Sequence, residues 1–368
     1  MSGKPRVLFV SRERHRLPLA PEQRRKWDAL ADVLDLRVLA ASAGGSRGDG
    51  RFVLEPRRRF LDGPLFYATL PARVAREVRR FRPDALLVQG VHEAALVRLA
   101  RTNVPLILDV HGDWRTAARL YGSPVRRLLA PAADALAPIA IRGADAVRTI
   151  SGMTSRLVRE QGVEPAAEFP AYVDVDVFCA SPPEPLPDGP AALFVGVLER
   201  YKGIETLLDA WPHVPDATLH VVGAGRLQPL LERPPARVTW TPRLEPEGIA
   251  KSLDESTLLV LPSPAEGLGR VVIEAFCRGR PVVGGRGGGL PDIVEDGVNG
   301  LLVEPGDARA LAAAIRRVLE DRDLAQRLGA GAAASAQRWT ATPEEFAARI
   351  ADLVRSTLER CASSSSSR

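Results

Sequence analysis

Two parallel α/β domains of the doubly wound type are what this sequence predicts, on three observations. At 368 residues the chain exceeds the length over which one hydrophobic core keeps growing. Short apolar runs of strand length alternate with helical segments along most of it. The opening strand, Val7-Leu-Phe-Val10, recurs as Ala192-Leu-Phe-Val-Gly196, directly after a stretch with five prolines in ten residues, Ser181–Pro190, that reads as an interdomain linker. Two such domains are expected to face each other across a cleft, with ligands at the carboxyl ends of their strands.

In chain order, Arg6–Val10 reads as a short buried strand, Ser11–Pro18 as a loop and Gln23–Leu34 as a helix. Further strands are expected at 36–40, 86–89, 106–109 and 146–150, with a Gly/Ser-rich surface loop from Ala41 to Gly50. Pro71–Arg82 gives a helix with Val74, Val78 and Phe81 on one face and Arg73, Arg76, Arg79 and Arg80 around it, the pattern of an outer helix of such a sheet. Gly122–Ala140 reads as another packing helix. In the second half the strands are 192–196, 218–222, 238–241, 258–261 and 281–283, and helices at 308–320, 324–338 and 342–358 close the chain. The expected organisation is therefore domain 1–180, linker 181–190, domain 191–340, a last helix 341–360 and a disordered serine-rich tail 361–368.

Composition excludes several classes. With 45% apolar and 26% charged residues the chain is an ordinary globular protein, and no apolar run approaches the roughly 20 residues of a membrane span. The start, Met1-Ser-Gly-Lys-Pro-Arg6, leads into a strand, not a signal peptide, so a cytoplasmic location is expected. Cys179, Cys277 and Cys361 have neither metal spacing nor the even count of a disulfide framework. The net charge of +5 is uneven: residues 1–180 hold 29 Lys and Arg against 20 Asp and Glu, and the remainder 21 against 25. The basic half favours an anionic partner; no nucleic-acid module accompanies it, and peripheral membrane contact is left open without being favoured.

Chemistry concentrates in Ser263–Phe276, where a strand meets a turn holding Gly267 and Gly269 and then a helix that carries Glu274, with Glu266 in the loop before it. Glycines let backbone N–H groups of Gly267, Leu268, Gly269 and Arg270 approach a ligand, and a helix start adds partial positive charge, so the turn suits a diphosphate. Two carboxylates beside it suit hydroxyls. Upstream, Gly196-Val-Leu-Glu-Arg-Tyr-Lys202-Gly203 ends the domain's first strand, and Lys202 there can neutralise a phosphate leaving group. In the first domain Asp109-Val-His-Gly-Asp113 places His111 at a strand end, and the first loop offers Arg12, Arg14, His15 and Arg16 to an anionic group.

The pair Glu266 and Glu274 resembles the E-x7-E element of the retaining glycosyltransferases of family 4, which have the two-domain GT-B fold. The segment Gly279–Asp307 is similar to that family's G-x-P-V-V…G-G…P-E-I-V…G-x-x-G-L-L-V-x-P-G-D, with Asp292 where Glu is frequent, and Ala171–Phe178 resembles its asparagine-glycine-valine-aspartate stretch near the domain crossover, with Ala171 and Tyr172 in place of Asn-Gly. The resemblance implies that Glu266 contacts the donor sugar, Glu274 the ribose hydroxyls and Lys202 with Gly196 and Gly203 the diphosphate. It places Arg243 near the nucleobase and His111 at the reacting centre, and has the last helix cross back to the first domain. It further implies that no metal or other cofactor is needed, with the nucleotide-diphosphate sugar as donor substrate and a hydroxyl acceptor, a glycan, lipid or small natural product; Asp174-Val-Asp176 is read as hinge structure, not a metal motif. Many members carry an arginine after the first glycine, where this chain has Val197. A nucleotide-sugar epimerase or hydrolase, or a catalytically silent nucleotide-sugar-binding protein, is the alternative.

Overall fold

The computed structural model describes residues 3–44, 48–56, 62–115 and 124–366. They divide into two compact units, Met1–Trp114 with Leu129–Tyr172 and Ala341–Arg368, and Val173–Thr340 with Arg115–Leu128. The first half of the chain runs β1 (Arg6–His15), α1 (Pro21–Val33), β2 (Asp35–Ser42), β3 (Phe52–Glu55), α2 (Asp62–Phe81), β4 (Ala85–Gln89), α3 (Val91–Val97), β5 (Leu106–Val110), α4 (Pro124–Arg142), β6 (Ala146–Thr149), α5 (Gly152–Arg159) and β7 (Ala167–Glu168). The second runs α6 (Asp176–Cys179), β8 (Ala191–Val195), α7 (Ile204–Ala210), β9 (Thr218–Val222), β10 (Val238–Thr241), α8 (Pro246–Asp254), β11 (Leu258–Leu261), α9 (Arg270–Cys277), β12 (Val282–Gly285), α10 (Leu290–Ile293), β13 (Gly300–Val303), α11 (Ala308–Glu320), α12 (Arg322–Trp339) and α13 (Pro343–Ser366).

Both sheets have one topology. The seven-stranded sheet has the order β3-β2-β1-β4-β5-β6-β7 and the six-stranded one β10-β9-β8-β11-β12-β13. Every pairing between the named strands is parallel. The order reverses once in each, between β1 and β4 and between β8 and β11. At such a point the loops leaving two neighbouring strands diverge to opposite faces and open a crevice beyond the strand ends.

Strand alternation explains why runs such as Val7-Leu-Phe-Val10 are apolar throughout. Leu8 and Val10 enter a core with Phe66, Leu70 and Val74 of α2, Ala94 of α3 and Ile141 of α4. Val7 enters the opposite core with Trp27 and Leu30 of α1 and Phe346, Ile350, Ala351 and Val354 of α13. A sheet covered on both faces needs apolar residues at every position, each fully buried one stabilising by about 1.5–3 kcal/mol. The last long helix is thus a structural part of the first unit.

The structure departs from the sequence reading at several places. β1 does not stop at Val10: after a register shift between Val10 and Arg14 it pairs again with β2, Arg14 opposite Ala41 and His15 opposite Ser42. Residues 11–15 of the expected loop are therefore strand. α2 begins at Asp62, well before Pro71, and β3 was not anticipated. The proline stretch 181–190 belongs to the second unit, because Arg280 donates to the carbonyls of Glu184 (2.9 Å) and Pro185 (3.2 Å), and Arg322 to those of Leu186 (3.1 Å) and Pro187 (3.0 Å). Prolines leave carbonyls without N–H partners of their own, and arginine forks fill that need. The serine tail continues α13 to Ser366, with Ser363 and Ser364 hydroxyls donating to the Arg360 carbonyl at 2.9 Å. Ser367 and Arg368, residues 45–47 of the Gly/Ser loop, and Gly122 and Ser123 of the expected packing helix lie outside the described residues. Among the described residues no helix is long and apolar enough to cross a membrane.

Candidate active site

In the second unit the loops after β8 and β11, the two strands at the reversal, are joined by an ion pair. Lys202 Nζ donates to Glu266 Oε2 at 2.6 Å, and each side chain is 12% exposed. Lys202 is set by a 3-10 turn, Arg200–Lys202, closed by Gly203 at φ 72°. A methyl group on Gly203 would lie 2.3 Å from the Pro262 carbonyl oxygen, so this glycine brings the two loops into contact. The Glu266 loop is braced from its other side by Gly287, Gly288 and Gly289. A side chain on these would meet the Pro264, Glu266 and Gly267 carbonyl oxygens at 2.3, 2.3 and 2.1 Å, and Gly289 N–H donates to the Glu266 carbonyl at 2.7 Å. The glycine run thus packs backbone against backbone on the Glu266 loop.

Beyond the loop, Gly269 (φ 65°) caps α9, whose first residue, Arg270, is exposed while Leu268 is buried at 6%. The opening amides of a helix have no partner within it, and here they follow directly on the Glu266 loop. Glu274 lies inside α9, and burial pushes its carboxyl above the usual range against the opposing charge of Arg270. Gly196 receives the Lys202 stem in ordinary contact, 3.6 Å from its would-be Cβ to Lys202 Cδ. Val222-Gly-Ala-Gly225, a partial dinucleotide fingerprint in sequence, is explained by packing: side chains on Gly223 and Gly225 would strike the Gly196 and Leu198 carbonyl oxygens at 1.8 and 2.5 Å. Arg243 is 81% exposed and pairs with Glu245 at 3.3 Å, away from any buried partner. Among the described residues no three His, Cys, Asp or Glu gather as metal ligands, and Asp176 N–H bonds Asp174 Oδ1 at 3.2 Å as α6 begins.

In the first unit, parallel register lines up Gln89, Asp109 and Arg148 on three adjacent strands. Asp109 accepts from Arg148 Nη1 through Oδ1 at 2.6 Å and bonds His111 Nε2 through Oδ2 at 2.8 Å, while Gln89 Nε2 lies 3.2 Å from His111 Nδ1. An ionised carboxylate only accepts, so Nε2 carries the His111 proton and Nδ1 takes the Gln89 amide. Burial alone would raise the Asp109 carboxyl, but Arg148 and His111 together hold it well below the carboxylate range. Arg148 also donates to the Phe169 and Pro170 carbonyls (2.9 and 2.8 Å) and lies 4.0 Å over the Phe169 ring. A cavity of about 30 Å³, room for one water, is lined here by Ser11, Lys26, Gln89, His111, Tyr172 and Phe346 among others.

At the β1/β4 reversal Arg12 lies 5.2 Å over the Tyr67 ring, and Tyr67 donates to Glu93 Oε1 at 2.9 Å. Burial and Glu93 push the Tyr67 hydroxyl up to about 12 against Arg12. Arg14 and Arg16 are exposed, but His15 is not available to a ligand. It is 1% exposed, enclosed by Trp27 and Phe52 at 5.8 and 5.2 Å, and burial lowers its pKa against Glu13. The strand extension turns it inward. Arg148, Gln89, Tyr67 and Glu93 were missed in the sequence reading. An arginine inside the buried four-residue strand Ala146–Thr149 was itself the signal for Arg148; Gln89 follows only from strand register, and Tyr67 and Glu93 only from the packing of α2 against α3.

Two Rossmann-like parallel-sheet units of this topology define the GT-B class. Two family models agree, one described as "Glycosyl transferase 4-like domain" over residues 10–170, the other as "Glycosyl transferases group 1" over residues 189–321. The chain belongs to the family 4 glycosyltransferases. It is 28% identical over 297 residues to the sulfoquinovosyl transferase SQD2 of Arabidopsis thaliana, covering 75% of this chain but 57% of that protein, so it spans little more than half of that relative's length. The fold is similar to sucrose-phosphate synthase from Thermosynechococcus elongatus, with TM-score 0.79, 21% identity, and coverage of 97% of this chain and 100% of the other. It is also similar to HepE of Anabaena, solved with UDP and glucose, at TM-score 0.65 and 19% identity over 98% of this chain and 99% of that one.

Proposed function

We propose that this chain is a retaining, metal-independent glycosyltransferase that moves a sugar from a nucleotide-diphosphate sugar to an acceptor hydroxyl. The observation that carries the reading is the Lys202–Glu266 pair at 2.6 Å, seated on glycine-built loops next to the start of α9. Lys202 is held against Glu266 on the loop that leads into α9, and a preorganised cation beside a diphosphate on the helix amides would need no rearrangement as negative charge develops on the leaving group. Glu266 keeps an oxygen that can accept from a sugar hydroxyl, and Glu274, whose carboxyl burial holds above its usual range, gains from accepting ribose hydroxyls. The sugar C1–O bond to the diphosphate breaks, the bond from C1 to the acceptor oxygen forms on the same face, and the acceptor proton passes to the departing phosphate oxygen. No side-chain base is required, which accords with His111, whose two ring nitrogens are both engaged; its role is positioning. Arg12, Arg14 and Arg16 favour an anionic acceptor, and the reaction is placed in the cytoplasm.

UDP glycosides are the first donors to test, since HepE was solved with UDP and glucose. Thermal stabilisation by a panel of UDP-, GDP-, ADP- and dTDP-sugars, followed by transfer assays with the stabilising donor and mixed hydroxyl acceptors, decides the matter. Stabilisation by a donor, with acceptor-dependent release of nucleoside diphosphate and an unchanged anomeric configuration in the product, is the expected result. Turnover of the donor without acceptor, an inverted product, or no stabilisation by any donor would overturn it.

A further inference from the structure

Two thiols outside the donor loops meet at the back of α9. Cys179 ends α6 and is exposed; Cys277 ends α9 and is buried; neither is in a disulfide. The two thiols are near enough for each to shift the titration of the other. The contact is built by Arg278, the residue after Cys277. Its Nε and Nη2 each bond a different oxygen of Asp254 at 2.8 Å, and its Nη1 donates to the carbonyls of Phe178 (3.3 Å) and Ser181 (2.9 Å) and to the Ser181 hydroxyl (3.2 Å). Residues on both sides of Cys179 are thus tied to the neighbour of Cys277. The guanidinium side chain is 3% exposed, so solvent offers the tie little competition.

We propose that Cys179 and Cys277 form a reversible oxidation site, converted by a peroxide or a small organic disulfide into an intramolecular disulfide. The two sulfurs differ as an attacking and a resolving thiol should. Cys277 draws the Cys179 thiol down to about 7, with Arg278 helping, against partial burial and Asp176; Cys179, burial and Glu274 push the Cys277 thiol up. With hydrogen peroxide, the Cys179 thiolate attacks one oxygen, the O–O bond breaks, and Cys179 becomes a sulfenic acid while hydroxide leaves and is protonated to water. Cys277 then gives up its proton and attacks the Cys179 sulfur, expelling a second water. Two thiols are oxidised to one disulfide and one peroxide is reduced to two waters. The bond would join the turn at which the chain enters the second unit to the helix whose preceding turn carries Glu274.

The experiment treats the reduced full chain with one equivalent of hydrogen peroxide at neutral pH, blocks remaining thiols by alkylation and maps the peptides. Loss of two hydrogens, a Cys179–Cys277 cross-linked peptide, alkylation confined to Cys361, and full reversal by dithiothreitol are expected. Cys361, whose thiol burial pushes up, is the internal control, and Cys179 should alkylate roughly ten-fold faster or more. Cys277→Ser should leave Cys179 as a sulfenic acid captured by dimedone. A Cys361 consumed as fast as Cys179, or wild-type Cys179 oxidised without the cross-linked peptide, overturns the proposal whatever the folding of the variant.

Discussion

Lys202 and Glu266 are held by backbone, His111 by side chains. In the second unit, glycines at 203, 287, 288 and 289 let loops press together, and the Lys202 and Glu266 side chains project from a frame that exists without them. In the first unit the His111 ring is fixed by Asp109, which is fixed by Arg148, which is fixed in turn by the Phe169 and Pro170 carbonyls. A backbone-built site separates function from stability. A network-built site joins them, because each member is both a contact and a satisfied buried charge.

The largest contrast is expected from Asp109→Asn. It leaves Arg148 charged and uncompensated, and should cost about 3–5 kcal/mol, read as a lower denaturant midpoint. The folded Asp109 carboxyl has a pKa below its unfolded value of about 3.9, so its contribution is fully present above that pH and is lost as pH falls through the folded value. The variant should therefore lose part of the wild type's acid-induced drop in stability. Lys202→Ala and Glu266→Gln make the opposite test. Each should lower kcat/KM by about 10²–10³-fold with little change in thermal midpoint. Unfolding of either, or an intact stability in Asp109→Asn, would erase the distinction.

Smaller effects sharpen it. Gly289→Ala puts a methyl group 2.1 Å from the Gly267 carbonyl oxygen, and should cost about 1–3 kcal/mol and weaken donor binding together. Here frame and function should fail together. Glu274→Gln should do the reverse. Burial raises the folded pKa of Glu274, so ionisation destabilises the fold: stability is greatest below the unfolded value of about 4.3 and declines as pH rises through the folded one. At neutral pH the variant should melt at or above the wild-type temperature while nucleotide-sugar affinity, measured by calorimetry, falls by about ten-fold.

The same contrast governs what could be read from the sequence. Lys202, Glu266 and their glycines lie in short segments where local spacing reports local geometry, and the repeated strand motif gave away two sheets. Asp109, Gln89 and Arg148 sit in three different strands, and only the register of a sheet shows that they touch. The inward turn of His15 rests on a register shift that no period-2 pattern encodes. The proline stretch has the composition of a linker, yet the arginines that fasten it, Arg280 and Arg322, come about a hundred residues or more later.

The placement of α13 bears on how the protein is made. Phe346, Ile350, Ala351 and Val354 complete a core begun by Val7 and Trp27. On the ribosome, the unit whose synthesis starts first cannot close that face until residues 343–366 have emerged, whereas 173–340 are by then available to fold. The nascent first sheet spends most of translation with one apolar face covered only in part, by α1. Trigger-type holdases, or a fast-folding second unit, would matter more to the yield of this chain than its final stability suggests.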